Sequence, residues 1–378
     1  MGINLMDNNA KNIIYTIKEL KKIILNNEDY TLYDYSHVTS MANMFTDHKG
    51  PIPDISKLDT SKVVDISSMF ENSSFNQNIS SWDVSNVIDM ESTFHNSSFN
   101  QNISSWNVSN VTNMTSLFQN TPFNQPLNNW DVSNVVSMGY MFKDTPFNQP
   151  LNNWDVSKLF DTHHMFSSTP FNQPLNNWNT KEFTDISFMF CNTPFNQPLN
   201  NWNTEHVYDM NATFESSLFN QNISSWDTSN VSDMSYMFKN TPFNQPLNTW
   251  DVSNVLDLGS TFHSTPFNQP LNNWNVLKIR GFSRLFKNTS FNQDISSWKI
   301  NTATSIHSLF RNNKDITLKY IPKHLISEVQ IIDMFFDINI CLSLLPTTKM
   351  LSKIQDKFII NDFELQTYKT LIVNKEYN

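Results

Sequence analysis

The sequence is poor in several residue types that particular classes of function require. Only 5 of its 378 residues are glycine, which argues against phosphate-binding loops and dinucleotide fingerprints, because both need closely spaced glycines. The two cysteines, Cys191 and Cys341, are too few for a disulfide framework. Lysine and arginine number 25 against 35 aspartates and glutamates, a formal charge of −10. That balance predicts no basic stripe and argues against nucleic acid as a partner.

Long uninterrupted apolar runs are also missing. The apolar residues of segment 13–25 are interrupted by four charged residues, a pattern that predicts an amphipathic helix rather than a signal peptide. The absence of an export signal favours a cytoplasmic protein. Segment 325–345 is apolar but carries three acidic residues, which make a membrane span expensive. We therefore expect capping helices at the C-terminus and no membrane span.

Tryptophan recurs at a fixed interval of 24 residues. The ten residues are Trp82, Trp106, Trp130, Trp154, Trp178, Trp202, Trp226, Trp250, Trp274 and Trp298. Leu58 holds the same position in one further unit, which gives about eleven coils. A period of this length without an insertion over ten units is typical of a solenoid. The tryptophans are expected to form a structural ladder, each of them pointing inward.

One repeat unit indicates the shape of a coil. Leu127, Trp130 and Val132 follow an apolar-x-x-apolar-x-apolar pattern, which predicts a short strand. The apolar residues of 135–142 are spaced three, three and one apart, which predicts a short helix or 3-10 segment. The sequence thus predicts an α/β solenoid, a right-handed array similar to leucine-rich repeats.

Three regions follow from where this period begins and ends. Residues 1–37 are predicted to form an N-terminal cap with an amphipathic helix, and residues 38–310 the solenoid. Residues 311–378 are predicted to form a helical C-terminal cap. Within the solenoid, Asn124 and Gln125 have identical equivalents in ten of ten units. Such unvarying polar residues predict hydrogen bonds to the backbone of the neighbouring coil.

The repeat resembles a known family. The run Trp-Asp-Val-Ser-Asn-Val-x-x-Met-x-x-Met-Phe followed by Phe-Asn-Gln-Pro-Leu, clearest in 130–142 and 226–238, is similar to BspA-like leucine-rich-repeat surface proteins. Within that family it is most similar to the branch first described as a mycoplasma repeat of unknown function. The resemblance implies binding or adhesion at a bacterial cell surface, and it brings no catalytic residues.

Residues that could carry chemistry are scattered. Neither HExxH nor CxxC occurs, so no catalytic residue, metal site or cofactor is expected. Carboxylates directly after tryptophan form the strongest candidate group: Asp131, Asp155, Asp227 and Asp251. On stacked strands these side chains would lie in one polar row. A calcium site remains an alternative, although asparagine replaces aspartate in other units, which favours hydrogen bonding and solvation.

A phenylalanine also recurs every 24 residues, from Phe70 to Phe310. Variation between units concentrates directly after this phenylalanine and at the position two residues before it. The latter position includes Tyr140, His164, Phe188 and Tyr236, which together with the four aspartates form the candidate binding surface. The leading prediction is a non-enzymatic, monomeric binding protein with a protein or glycan ligand. An intracellular interaction scaffold or effector is the main alternative, and a calcium-binding repeat module is a more remote one.

Overall fold

The computed structural model describes residues 12–301, 304–325 and 333–335. The chain divides into two compact units. Unit 1 comprises Met1–Asp185 with Asn192–Gln197, and unit 2 comprises Ile186–Cys191 with Pro198–Asn378. Most of the predicted C-terminal cap, and Cys341, lie outside the described residues. The cap's described part includes two 3-10 turns, Leu318–Tyr320 and Lys323–Leu325.

The N-terminal segment of unit 1 contains the regular secondary structure. Strand β1 (Asn12–Ile13) pairs in parallel with β2 (Tyr33–Asp34), and helix α1 (Ile17–Leu25) and a 3-10 turn (Tyr30–Leu32) lie between them. Helix α1 begins after Thr16 because the Thr16 hydroxyl accepts the Glu19 N–H at 3.2 Å, while the Glu19 carboxylate accepts the Thr16 N–H at 3.1 Å. The helix is therefore shorter than the predicted 13–25.

Each 24-residue coil is built from turns and one isolated parallel bridge. The bridged residues are Ser40, Asp65, Asp89, Asn113, Ser137, Asp161 and Asp185 in unit 1, and Asp209, Asp233, Asp257, Gly281 and Ser305 in unit 2. Around Trp130 the structure thus differs from the predicted strand. The Trp130 N–H bonds to the Leu127 carbonyl at 3.0 Å and the Val135 N–H to the Val132 carbonyl at 2.9 Å. Turns on both sides leave too short an extended stretch for a strand.

One set of backbone hydrogen bonds between successive coils of a unit runs only toward the following coil. The N–H groups of residues 138, 140, 142 and 144 donate to the carbonyls of residues 161, 163, 165 and 167 in the following coil, at 2.9–3.0 Å. The N–H groups of residues 141, 143 and 145 bond locally, three residues back. We call this forward set of bonds the one-way ladder, and its equivalents recur along both units.

The one-way ladder depends on left-handed backbone. Twenty-five non-glycine residues have positive φ, and all but Asn27 fall at two positions of the coils. Left-handed residues prevent the continuous i to i−4 bonding of a helix, and this explains why the predicted helix over 135–142 is replaced by turns. The second position holds only Asn, Asp or Ser, of which Asn and Asp tolerate this conformation best. The first is the variable position, and it includes bulky residues such as Tyr140 and Phe188.

Ala212→Gly is expected to leave the stability of unit 2 nearly unchanged. Ala212 is fully buried with φ of 50°, and a left-handed L-residue carries a cost of about 1–2 kcal/mol that glycine lacks. The greater freedom of glycine in the unfolded chain offsets about 0.4–1 kcal/mol of this gain, and the lost burial of the methyl group offsets about 0.8 kcal/mol more. The urea midpoint should therefore stay close to that of the unaltered chain. Ala42→Gly is the matched control, since Ala42 has no positive φ, and it should lose stability. Equal losses in both variants would contradict the strain argument.

The core of each unit consists of stacked aromatic rings. Within one coil, the rings of Phe142 and Phe147 lie 3.8 Å apart between centroids. Between coils, Phe118 stacks on Phe142 at 5.9 Å and Phe123 on Phe147 at 6.4 Å. Unit 2 repeats the arrangement, with 3.8 Å between the ring centroids of Phe238 and Phe243. Continuous aromatic packing thus runs through the coils of each unit.

Candidate functional site

The ten tryptophans lie in the core and are not part of a surface site. Their side chains are 2–4% exposed. The Trp130 indole N–H also donates to the Ile103 carbonyl of the preceding coil at 3.2 Å, and that of Trp250 donates to the Ile223 carbonyl at 3.2 Å. The sequence predicts the burial but gives no sign of this hydrogen bond. Trp130 and Trp250 therefore each join two coils by packing and by a hydrogen bond from the indole.

The Asn-Gln pair also joins neighbouring coils. The Asn124 Oδ1 accepts the Asn148 N–H at 3.1 Å and the Gln149 Nε2 at 3.0 Å. The Gln149 Nε2 also lies 3.3 Å from the Asn124 carbonyl oxygen. The predicted hydrogen bonding between coils is confirmed. These side chains are half-buried and already occupied, which leaves them little capacity for a ligand.

The four candidate aspartates are exposed and begin turns. Each accepts the N–H of the serine two residues later, at 3.1 Å for Asp131, 3.0 Å for Asp155, and 2.9 Å for Asp227 and Asp251. The serine hydrogen bonds lower the pKa of the Asp131 and Asp227 carboxyls. Asn107 accepts the Ser109 N–H in the same way, which explains why asparagine replaces aspartate freely. The described residues contain no group of three His, Cys, Asp or Glu side chains placed to hold a metal ion.

Tyr140 and His164 meet in unit 1. Their rings stack at 4.7 Å, and the edge of Tyr140 faces His163 at 4.5 Å. The His163 Nδ1 is hydrogen-bonded to the Asp161 carboxylate, which also accepts the Ser137 hydroxyl at 2.8 Å. The variable position thus produces one local aromatic and polar cluster. Burial, together with repulsion from Lys143 and His163, lowers the pKa of His164 from 6.5 to about 4.

The buried imidazole makes stability depend on pH. Between pH 6.5 and about 4 the unfolded chain binds a proton at His164 while the folded chain does not, so the free energy of unfolding should fall as pH falls through that window. His164→Phe should reduce this slope, since Phe188 shows that phenylalanine fits the same backbone. Urea midpoints at several pH values measure the effect. His206→Gln, at an exposed histidine, is the control, and an equal change in both variants would refute the assignment.

Phe188 and Tyr236 lie in unit 2. Phe188 is half-buried, and its N–H donates to the Asn211 carbonyl at 2.8 Å. Tyr236 is 37% exposed, and the Lys239 ammonium lies 5.1 Å from its ring centroid. Among the eight candidate residues, Tyr140 and His164 therefore form a contact pair in unit 1.

A row of side chains that sequence reasoning missed, three of them exposed and three half-buried, lies directly before the bridged residues. We call it the surface row: Val64, Ile88, Thr112, Val136, Phe160 and Thr184 in unit 1. Each N–H from Ile88 to Thr184 donates to the carbonyl of the row's previous member at 2.8–3.1 Å. Ile88 is 48% exposed and Phe160 46%. The available signal is the enrichment of β-branched and aromatic residues at this position.

Comparison with known proteins gives the family. No curated protein and no solved structure matches the chain. No helix among the described residues combines the length and apolarity needed to cross a bilayer. The sequence pattern of one family matches five overlapping segments, residues 11–122, 89–194, 119–219, 170–266 and 216–324. These matches span most of the sequence, so the chain belongs to the repeat family described as "Mycoplasma protein of unknown function, DUF285".

Proposed function

We propose that the chain is a non-enzymatic binding protein of the BspA-like type. Its 24-residue coils would stack as a right-handed solenoid similar to leucine-rich repeats, and it would act at a bacterial cell surface. The surface row is the observation that carries this proposal. The hydrogen bonds between coils and the family's repeated sequence support the architecture, and the resemblance of the repeat supports the surface setting.

The surface row favours a protein as the partner. Its members follow one another coil by coil at a spacing of about 4.8 Å, and several are apolar yet substantially exposed, notably Ile88 and Phe160. Contiguous exposed apolar surface is rare on monomeric proteins and usually marks an interaction site. A partner that covers several coils would remove these side chains from water together, so that affinity would grow with the number of coils engaged.

Photo-crosslinking on cells that produce the protein tests this function. A photoreactive aromatic amino acid is placed at position 160 and, as a control, at the exposed Asn153. We expect a protein adduct from position 160 that excess unlabelled chain removes, and none from position 153. No adduct, or equal adducts from both positions, would contradict a role for the surface row. Loss of the adduct after external protease treatment supports the cell surface, whereas its survival would support the intracellular scaffold instead.

A further inference from the structure

The turns of unit 2 bring together cations from three different coils. We call them the basic row: Lys239, Arg284, Lys287 and Arg311. Three of them directly follow the buried phenylalanines 238, 286 and 310, in a column that also contains His263. Backbone bonds of 2.9 Å, from the N–H of residues 240, 264 and 288 to the carbonyls of residues 263, 287 and 311, hold these coils next to one another. At about 4.8 Å per coil the row extends over about 14 Å.

Two of these cations lack an acidic partner. Lys239 pairs with Glu215 at 2.7 Å, whereas Arg284 and Lys287 make no ion pair within the described part of the chain. Burial lowers the pKa of Lys287, and repulsion from Arg311, Arg284 and Lys239 lowers it further. Like charges held this close repel one another, and a bound anion would relieve that repulsion. The local excess is notable in a chain whose formal charge is −10.

The same column in unit 1 carries no such excess. His95 pairs there with Glu71 at 3.1 Å, and Lys143 with Asp144 at 2.9 Å. The remaining described members of that column are Gln119 and Ser167, which are neutral. The basic row is therefore specific to unit 2 and does not follow from the coil geometry alone.

A row of uncharged polar side chains runs beside the basic row, one residue further along each coil. It consists of Asn240, Ser264, Asn288 and Asn312. The Asn312 Nδ2 donates to the Asn288 Oδ1 at 2.8 Å, and the Asn288 Nδ2 donates to the Ser264 hydroxyl at 3.1 Å. The three asparagines are exposed, so amide oxygens and N–H groups lie at the surface next to the cations. Amides of this kind pair with hydroxyl groups.

We propose that the basic row and the neighbouring amide row bind a short acidic oligosaccharide that carries sulfate or carboxylate groups. The cations recognise the anionic groups, and the amides recognise the sugar hydroxyls. Arg284 and Lys287, with Lys239 and Arg311 beside them, suit a short ligand, because a long polyanion such as nucleic acid would also meet the acidic remainder of the chain. The site uses none of the surface row, so it extends beyond the protein-binding function proposed above and does not depend on it.

Titration calorimetry of the full chain with a heparin-derived hexasaccharide at low salt tests the proposal. The double variant Arg284→Gln/Lys287→Gln should bind this probe at least about tenfold more weakly, because hydrogen bonds to charged groups are the strong ones. The matched control is Lys143→Gln/Lys158→Gln, which removes two positive charges from unit 1. It should bind like the unaltered chain. An unchanged melting temperature establishes that each variant is folded, and Arg284→Lys should retain most of the binding.

Three results would overturn the proposal. The first is no detectable binding of the hexasaccharide, and the second is equal weakening in both double variants, which would show non-specific attraction. The third is tighter binding of a single-stranded oligothymidylate than of the hexasaccharide, which would identify a nucleic-acid surface instead. Uncharged maltohexaose should not bind. Crosslinking from position 160 should be the same in the Arg284→Gln/Lys287→Gln variant, so failure of one proposal is distinguishable from failure of the other.

Discussion

Trp130→Ala is expected to lower the free energy of unfolding by about 3–5 kcal/mol, the usual range for deleting a buried aromatic side chain. Trp130 is 3% exposed and packs against Phe118 with 6.4 Å between ring centroids. Its indole N–H also satisfies the Ile103 carbonyl of the preceding coil. The substitution therefore opens a cavity and removes a buried hydrogen-bond donor together. Urea unfolding followed by circular dichroism measures the loss.

Two further variants separate packing from hydrogen bonding. Trp130→Phe keeps an aromatic ring but removes the indole hydrogen bond to the Ile103 carbonyl, which still accepts the Trp106 N–H at 3.0 Å, so this loss should cost about 0.5–1.5 kcal/mol. Phe160→Ala removes an exposed ring of the surface row and should change stability by no more than about 0.5 kcal/mol. If Trp130→Ala and Phe160→Ala proved equally mild, the tryptophan would not be the joint between coils described above.

Removing a whole coil is expected to be far less damaging than removing half of one. Deletion of residues 123–146 joins Pro122 to Phe147, which restores the Thr-Pro-Phe-Asn-Gln sequence at the junction. Every ladder bond then finds an equivalent partner, because donor and acceptor positions recur at the same period. Deletion of only residues 123–134 removes Trp130 and shifts the following coils by half a repeat, so that the N–H donors of one coil no longer face the matching carbonyls of the next. We expect unit 1 to unfold in the second variant and to remain folded in the first.

Denaturant titration distinguishes the two deletions. The whole-coil variant should unfold cooperatively, with a denaturant dependence reduced in proportion to the surface that one coil buries. The half-coil variant should show no cooperative transition for unit 1. If the two variants behaved alike, the repeat would not be the unit of stability that nearest-neighbour packing implies. One natural irregularity marks where extra length is tolerated, since Phe45 and Phe70 are 25 residues apart.

The sequence reveals which positions point inward but not the backbone that places them there. Burial repeats with the period, so Trp130, Phe142 and the Asn-Gln pair could be assigned to the interior or to contacts between coils. Left-handed backbone usually shows itself through glycine. Here the positive φ values belong to residues such as Tyr140 and Phe188, so the same spacing was interpreted as a helix. Turns and single bridges satisfy the same periodic pattern as strands and helices.

The candidate surface was harder to predict than the core. Asp131 and its equivalents were assigned to one polar row, while in the structure each accepts a local N–H at the start of a turn. The surface row escapes sequence reasoning because the repeat period alone does not show whether an apolar residue such as Phe160 is buried or exposed. The basic row escaped because a net charge of −10 averages over the chain, whereas the fold gathers Arg284 and Lys287 locally. A comparison of charge at each position of the repeat, made separately along the chain, could have revealed the basic row.

The one-way ladder gives each stack two different ends. At the last described coil, the Ser308 N–H donates to the Asp333 carbonyl at 2.7 Å and the Phe310 N–H to the Met334 carbonyl at 2.9 Å. Residues 333–335 thus occupy an edge of N–H groups that could otherwise donate to any matching row of carbonyls. Two exposed ends of this kind can join only head to tail, and head-to-tail contacts that do not close into a ring generate fibres. Because residues 333–335 occupy the N–H groups of this edge, they would also hinder head-to-tail polymerisation.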